Sequence, residues 1–492
     1  MLSLPAKKSS AEEVLAAMKR ARDHDAQWQA GKTWSLVYHA GDDVSDLLKN
    51  AYTLFFSENG LNPMAFPSLK KFEAEVVAMV ASLLGGDEET VGNLTSGGTE
   101  SILMAVKTAR DWARAMRSRI ISPEMLLPIT AHPAFDKAAH YFGVKPIRVP
   151  INTDLRADVS AARAAITPNT ILLVGYAPTY PHGVIDPIAE LAQIACEKQV
   201  LFHVDACVGG FVLPFIRKLG YPVLDFDFRV PGVTSISVDL HKYAYAAKGA
   251  SVILYKNRAL RRHQYFVSSE WPGGIYASPT ISGTRPGGAI AAAWAILNYL
   301  GEEGYLAIND TVMRTTAKLR AGIDAIPGLE ILGEPAMSLL AIGSDTLNIY
   351  EVADEMTLRG WQIDRQQFPP SLHLTVTHAH TQSANAFLSD LACAAAQARR
   401  LTLPKLANAL QVGLVRAASR ILPPQVMSNL TARVSTFLGA GVPTRLAALY
   451  GMMASLPNRG DANELVLDVL DGLTAVETAP TKSPSRPLSA DS

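Results

Sequence analysis

From about Phe66 onward the chain alternates helical apolar patterns with short, nearly continuous aliphatic runs, and this alternation restricts its fold more than any other feature. The runs are Leu126–Ala131, Pro146–Val149, Ile171–Tyr176, Leu201–Val204, Ser235–Val238 and Ser251–Tyr255. A strand that is apolar at every position has no face to offer solvent, so it must be covered on both sides. Helical patterns lie between most of the runs, which predicts an α/β domain built on a mostly parallel sheet. Upstream, residues 10–28 set Val14, Leu15, Met18 and Ala21 at helical spacing among many charges and predict an N-terminal arm helix. The segment Trp271–Gly288 reads as a long Gly/Pro/Ser loop, and long loops inside large domains are more often functional than incidental. Beyond Leu300 the pattern is mixed, with one strand-like run at Ser338–Gly343 and helices after it. The organisation expected is an arm over 1–57, a large domain over 58–300, a small C-terminal domain over 301–475 and a disordered tail over 476–492.

Bulk properties exclude several classes. With 492 residues, 48% of them hydrophobic, the chain can bury a large core. Lys plus Arg and Asp plus Glu both number 45, so net charge gives no reason to expect a nucleic acid partner. No apolar run approaches the roughly 18 residues that cross a bilayer. The longest, Ala289–Leu300, contains Asn298 and reads as a buried helix. The first residues, MLSLPAKKSSAEEVL, lack a secretory apolar core. Cys196, Cys207 and Cys393 are odd in number and show no metal-ligand spacing, which fits a reducing compartment and no metal site. The expectation is a soluble cytoplasmic protein.

Three segments hold the chemistry. In SISVDLHKYAYAAKGAS a strand runs toward Asp239, His241 and Lys242, so Lys242 falls at the strand's carboxyl end, where open α/β sheets bind ligands. Partly desolvated and beside a histidine, such a lysine can lower its pKa and form a Schiff base. In LFHVDACVGG, Asp205 ends an apolar strand and requires a cationic partner, the plainer alternatives being a structural salt bridge or a helix N-cap. A protonated pyridine nitrogen would serve. In NLTSGGTESILMAVKTARDWARAM, Gly97 and Gly98 allow a tight turn, Thr99 and Ser101 offer hydroxyls, and an amphipathic helix follows. A glycine turn at a helix N-terminus is a ready phosphate site. Each signal is weak alone, but together they supply what pyridoxal 5'-phosphate needs.

The wording of the sequence also resembles a known family. SGGTES, AHPAF, PHGVIDP, HVDACVGGF, DFRVPGVTSISVDLHKYAYAAKG, GGIYASPTISGTRPGG and QFPPSLH resemble, in order and wording, the sphingosine-1-phosphate lyase family of group II pyridoxal-dependent decarboxylases, and this chain resembles its bacterial-type members. The resemblance runs from about Tyr38 to Ser371 and resumes weakly at Tyr450 to Met452. It implies a type I pyridoxal-dependent transferase fold, with a mostly parallel seven-stranded large-domain sheet and a smaller α+β C-terminal domain. It implies retro-aldol cleavage of a phosphorylated sphingoid base into a fatty aldehyde and phosphoethanolamine. On the matching positions, Lys242 would bind the cofactor covalently, Asp205 would pair with its ring nitrogen, and His132 would stack on the ring. Gly98, Thr99 and His241 would hold its phosphate. Lys248, Tyr180 and Tyr38 would serve the substrate phosphate or proton transfer, with Tyr38 reaching in from a second subunit of a homodimer with shared sites. This chain departs from the family by reading NGLNPMAFP, with Asn62 where a histidine is usual, and by lacking the membrane anchor with which eukaryotic members begin. Asn62 can still hydrogen-bond a phosphate but brings no charge.

A pyridoxal-dependent amino-acid decarboxylase shares the lysine, the aspartate and the phosphate turn, and is the alternative. A binding protein without catalysis has no use for Lys242 and Asp205. One further stretch stands out: between Asp390 and Asp461 there is no acidic residue, while Arg399, Arg400, Lys405, Arg416, Arg420, Arg433, Arg445 and Arg459 occur. Leu406, Leu410, Leu414 and Ile421 fall near helical spacing. Such a helix suits peripheral contact with an anionic membrane, but an insert with its arginines in solvent is the plainer reading.

Overall fold

The computed structural model describes residues 3–400 and, beyond them, the isolated helical positions 447, 450, 467 and 470. The chain divides into two units, residues 27–399 and residues 1–26 taken with 400–492. All the strands described lie in the first unit.

Seven strands form the large sheet: β1 (Val91–Thr95), β2 (Glu124–Pro128), β3 (Lys145–Val149), β4 (Thr170–Tyr176), β5 (Leu201–Asp205), β6 (Ser235–Asp239) and β7 (Ser251–Tyr255). Their order is β1-β7-β6-β5-β4-β2-β3. Neighbours from β6 through to β3 are parallel, whereas β7 runs antiparallel to both β1 and β6. Strands β2, β4, β6 and β7 are buried at every residue, the physical reason β2, β4 and β7 do not alternate; β6, SISVD, does alternate, but its serines are buried as well. One face packs Leu126, Leu173, Val204 and Ile236 against Ile188, Leu191 and Val212. The other packs Met125, Leu172, Val174 and Ile253 against Ile102, Val106 and Phe135. Helices therefore cover both sides, and each fully buried Phe or Leu contributes about 1.5–3 kcal/mol. All six expected strands form, with ends moved by at most three residues. β1 was not expected: Gly92 and Asn93 interrupt its apolar character, which an edge strand tolerates.

The reversed β7 matters for position. Ser251 opens β7 and pairs with both Thr95, the last residue of β1, and Asp239, the last residue of β6. The glycine turn after β1, the lysine turn after β6 and the return into β7 thus meet at one sheet edge. Asp205 ends β5 at the same edge, opposite Ser237.

The expected loop Trp271–Gly288 is not wholly irregular. Within it β9 (Tyr276–Ser278) pairs antiparallel with β8 (Phe266–Ser268) as a two-stranded ribbon. A four-stranded antiparallel sheet follows, built from β10 (Glu330–Ile331), β11 (Leu339–Gly343), β12 (Asp364–Gln367) and β13 (Pro370–Thr375) in the order β10-β11-β13-β12. Only β11 was legible, because β12 is a polar edge of sequence DRQQ and β13 opens on Pro370. Ala289–Leu300 begins a long helix, Gly287–Asp324, and its alanines are buried as expected. That helix breaks at Gly301, whose φ of 52° favours glycine. The N-terminal helix is shorter than the periodicity suggested, Ala11–Ala21, and begins at a capping box of Ser10 and Glu13.

Among the described residues no helix is long and apolar enough to cross a membrane. Arg399 is described and donates to the Pro327 carbonyl. The remainder of the basic stretch, from Lys405 to Arg459 with its leucines, and the tail from Val476 lie outside the described residues.

Candidate active site

Lys242 follows β6 by three residues, in a turn closed by the Tyr245 amide on its carbonyl. Its Nζ lies 2.8 Å from Oδ2 of Asp239, the residue that ends the strand. Burial alone would pull the Lys242 ammonium down, but the Asp239 carboxylate outweighs it and holds it above its ordinary value. This corrects the expectation of a lowered lysine. Burial likewise works against the Asp239 carboxylate, yet Lys242 and then His241 keep it below its usual range. Asp239 is the functional residue that sequence reasoning missed. It is a carboxylate at the end of a buried strand, the same signal that singled out Asp205.

Asp205 is 5% exposed and makes no ion pair among the described residues. Its Oδ1 accepts the Cys207 amide (3.0 Å) and the Ser237 hydroxyl (3.2 Å), while Oδ2 takes no hydrogen bond among the described residues. His132 is not a core residue but an exposed one, oriented from two sides. Its amide donates to Tyr176 Oη (2.8 Å) and its Nδ1 accepts the Ala134 amide (3.1 Å). Burial lowers its pKa, opposed by the charge of Asp205, and Lys242 and Asp239 also act on it. Those three charges therefore lie near the ring.

The helix Gly98–Met116 opens there too, and no side chain caps its N-terminus. Its first amides are free to bind an anion. Thr99 is exposed in that first turn, but Ser101 is not available. It is buried between Thr95 Oγ1 (2.7 Å) and Ser251 Oγ (2.9 Å). His241 Nδ1 accepts the Ala250 amide (3.3 Å), and its Nε2 lies 3.9 Å from Asp239 Oδ2. Burial lowers its pKa, with Asp239 opposing.

Across the cleft, Lys248 Nζ donates to the carbonyls of Leu36 (2.7 Å) and His241 (3.2 Å) and lies 5.2 Å from the centre of the Tyr38 ring. Its side chain reaches solvent, but protein surrounds most of it. Burial and the Lys242 charge bring its ammonium down to about 8. Tyr38 packs edge-on against Tyr243 at 5.1 Å, and burial pushes its phenol up to about 12 despite Lys242. Within the chain Tyr38 stands beside Lys248 and Lys242. Tyr180 Oη donates to Asp364 Oδ2 (3.1 Å), and its ring stacks on buried His373 at 4.1 Å. Burial and then Asp364 raise the Tyr180 phenol, and Tyr38 and Lys242 also act on it. Asp364, on the unrecognised strand β12, was also missed. Asn62 is not brought to this cleft. Its Oδ1 accepts the amides of Met64 and Ala65 in a local turn. It lines a separate cavity of about 910 Å³ with Phe66, Glu73, Tyr265 and Arg285.

A lysine, a carboxylate with one open oxygen and an uncapped helix start, gathered at one sheet edge, are the needs of a pyridoxal enzyme. In agreement, the family model described as pyridoxal-dependent decarboxylase conserved domain matches residues 5–342. A sphingosine-1-phosphate lyase of Oryza sativa subsp. japonica is 48% identical over 467 residues, covering 93% of this chain and 79% of that protein. The solved structure of a Burkholderia pseudomallei sphingosine-1-phosphate lyase superposes with a TM-score of 0.79 at 42% identity, covering 81% of this chain and 93% of that one. A Lactobacillus brevis glutamate decarboxylase, 18% identical with a TM-score of 0.72 over 82% of this chain and 96% of its own, shares the fold alone. The chain belongs to the sphingosine-1-phosphate lyase family, within the pyridoxal-dependent decarboxylases.

The cofactor is pyridoxal phosphate, and the residues fit it. A methyl group at Gly98 would stand 2.8 Å from both Asp239 oxygens and 3.0 Å from Cys207 Sγ, so only glycine lets the backbone approach this point. Asp239 Oδ1 is buried without a hydrogen-bond partner among the described residues, a donor deficit at the same place.

Proposed function

We propose that the chain cleaves phosphorylated long-chain sphingoid bases between C2 and C3, with Lys242 and Asp205 at the reacting end and Lys248 at the phosphate end. The products are a long-chain aldehyde and phosphoethanolamine, the reaction of the family to which the chain belongs. The observation that favours this over amino-acid decarboxylation is the second cation, Lys248, on the cleft that holds Lys242. A substrate phosphate needs such a partner and an amino acid to be decarboxylated does not.

When bound, pyridoxal phosphate supplies an electron-deficient ring that takes up the electron pair left as the C2–C3 bond breaks. Asp205 Oδ2 keeps the ring nitrogen protonated, and His132 covers the ring face. Gly98, Thr99 and His241 hold the cofactor phosphate. Lys242 would hold the cofactor covalently. Asp239 would hold the Lys242 ammonium beside the reacting carbon, where it can serve as an acid. Tyr180 accepts the C3 hydroxyl proton while its own proton passes to Asp364, so it acts as a phenol throughout. Tyr38 and Lys248 orient the phosphate end. Asn62 has no part within a single chain's cleft. The reading extends to a homodimer in the cytoplasm, and the free cysteines Cys196, Cys207 and Cys393 fit a reducing compartment.

The test is incubation of the purified protein, pyridoxal phosphate and sphingosine 1-phosphate. Equal amounts of long-chain aldehyde and phosphoethanolamine are expected. Release of carbon dioxide from an amino acid, with no aldehyde from the lipid, would overturn the proposal in favour of a decarboxylase.

A further inference from the structure

Behind Asp205 lies a buried hydrogen-bond chain that runs back to β6. His203, two residues before Asp205 on β5, is wholly buried. Parallel pairing puts His203 opposite Ser235 and Asp205 opposite Ser237. His203 Nδ1 lies 2.9 Å from Ser235 Oγ and its Nε2 lies 3.1 Å from Ser237 Oγ. The Ser237 hydroxyl in turn donates to Asp205 Oδ1 at 3.2 Å. Burial pulls the His203 imidazole down to about 4 against the charge of Asp205, so the ring is neutral near pH 7.

Proton positions along this chain follow from counting. Ser237 has one hydroxyl proton, and an ionised carboxylate can only accept it. His203 Nε2 must therefore donate to Ser237, and Nδ1, the remaining acceptor of a neutral ring, must take the Ser235 proton. Every member is satisfied in one direction only, from Ser235 through His203 and Ser237 to Asp205.

We infer that His203 is a positioning residue, which through Ser237 commits Asp205 Oδ1 inward and presents Oδ2 to the ring nitrogen of the cofactor. The inference rests on Asp205 being the partner of that nitrogen. Donation to Oδ1 makes the carboxylate a poorer proton acceptor, so the proton shared with the ring stays on the ring. Without Nε2–H, Ser237 has no fixed orientation and Oδ1 can claim the proton instead.

The variants are His203→Leu, which keeps bulk, His203→Gln, which offers an amide donor and acceptor, and Ser237→Ala. Each is loaded with pyridoxal phosphate labelled at the ring nitrogen, and NMR reads whether that nitrogen is protonated. The wild type is expected to show a protonated nitrogen. His203→Leu and Ser237→Ala are expected to move the signal toward the unprotonated position. Their kcat is expected to fall roughly tenfold to a hundredfold, with KM changed by less than about twofold. His203→Gln is expected to recover most of both. If His203→Leu does not fold, Ser237→Ala, which removes a single oxygen, decides alone. Variants that bind the cofactor with a wild-type nitrogen signal and wild-type kcat would overturn the relay and leave the functional reading standing. A wild-type protein that binds no cofactor would sink that reading, and the relay with it.

Discussion

Replacing Asp239 by Asn removes the charge that holds Lys242 as an ammonium. At 2.8 Å and an effective dielectric of ~20, the attraction between the two charges is ~6 kcal/mol. Desolvation of the pair offsets several kcal/mol of this, leaving a net effect of about 1.5–3 kcal/mol, the range for hydrogen bonds to charged groups. That corresponds to a fall of about 1–2 units in the Lys242 pKa. The sign is definite: Lys242 is held above its ordinary value, so its free amine is scarce at neutral pH and each unit lost multiplies it about tenfold. Only the free amine can attack the cofactor aldehyde. Protein stripped of cofactor and mixed with pyridoxal phosphate in a stopped-flow absorbance experiment should therefore load about 10- to 100-fold faster in Asp239→Asn near pH 7. Its rate–pH profile should shift to lower pH by the same 1–2 units. His241, Lys248, Tyr38 and Cys207 also face this pair and are unchanged by the substitution. Superimposable profiles for wild type and variant, with circular dichroism unchanged, would refute the reasoning.

Gly98→Ala places a methyl 2.8 Å from the Asp239 carboxylate, and this overpacking should weaken cofactor affinity by about 5- to 100-fold in a fluorescence titration without lowering helix content. Lys248→Ala should raise KM for the phosphorylated base by about tenfold to a hundredfold while leaving cofactor loading intact. In the wild type the ammonium is the phosphate-binding form. Substrate affinity should therefore hold below pH 8 and decline as pH rises through about 8, a decline that Lys248→Ala abolishes.

Much of this fold was legible because its central strands are buried on both faces. Near-continuous apolar runs at β2, β4 and β7 leave no other structure available to them. What escaped lies at edges. β1 contains Gly92 and Asn93, β12 is polar throughout, and neither needs apolar residues on both faces because each has a single neighbour. The site divides in the same way. Lys242, Asp205 and the Gly97–Gly98 turn were readable because a strand end or a helix start restricts what such residues can do. Asp239 was quoted within its motif but given no role, since its meaning depends on a lysine one turn away in space. Asp364 and His203 depend on pairings across strands, Tyr180 with β12 and His203 with β6, that no local spacing announces. Ser101 shows the converse: a hydroxyl in the right turn that faces the core.

The central claim is that Lys242 is the residue joined to the cofactor in the resting enzyme. Borohydride reduction of the loaded protein, digestion and peptide mass spectrometry test it directly. The account predicts a pyridoxyl adduct on Lys242 alone, and a smaller yield of it when reduction is carried out while saturating sphingosine 1-phosphate is being turned over. An adduct on Lys248 or another lysine, or none on a protein that still releases aldehyde, would contradict it.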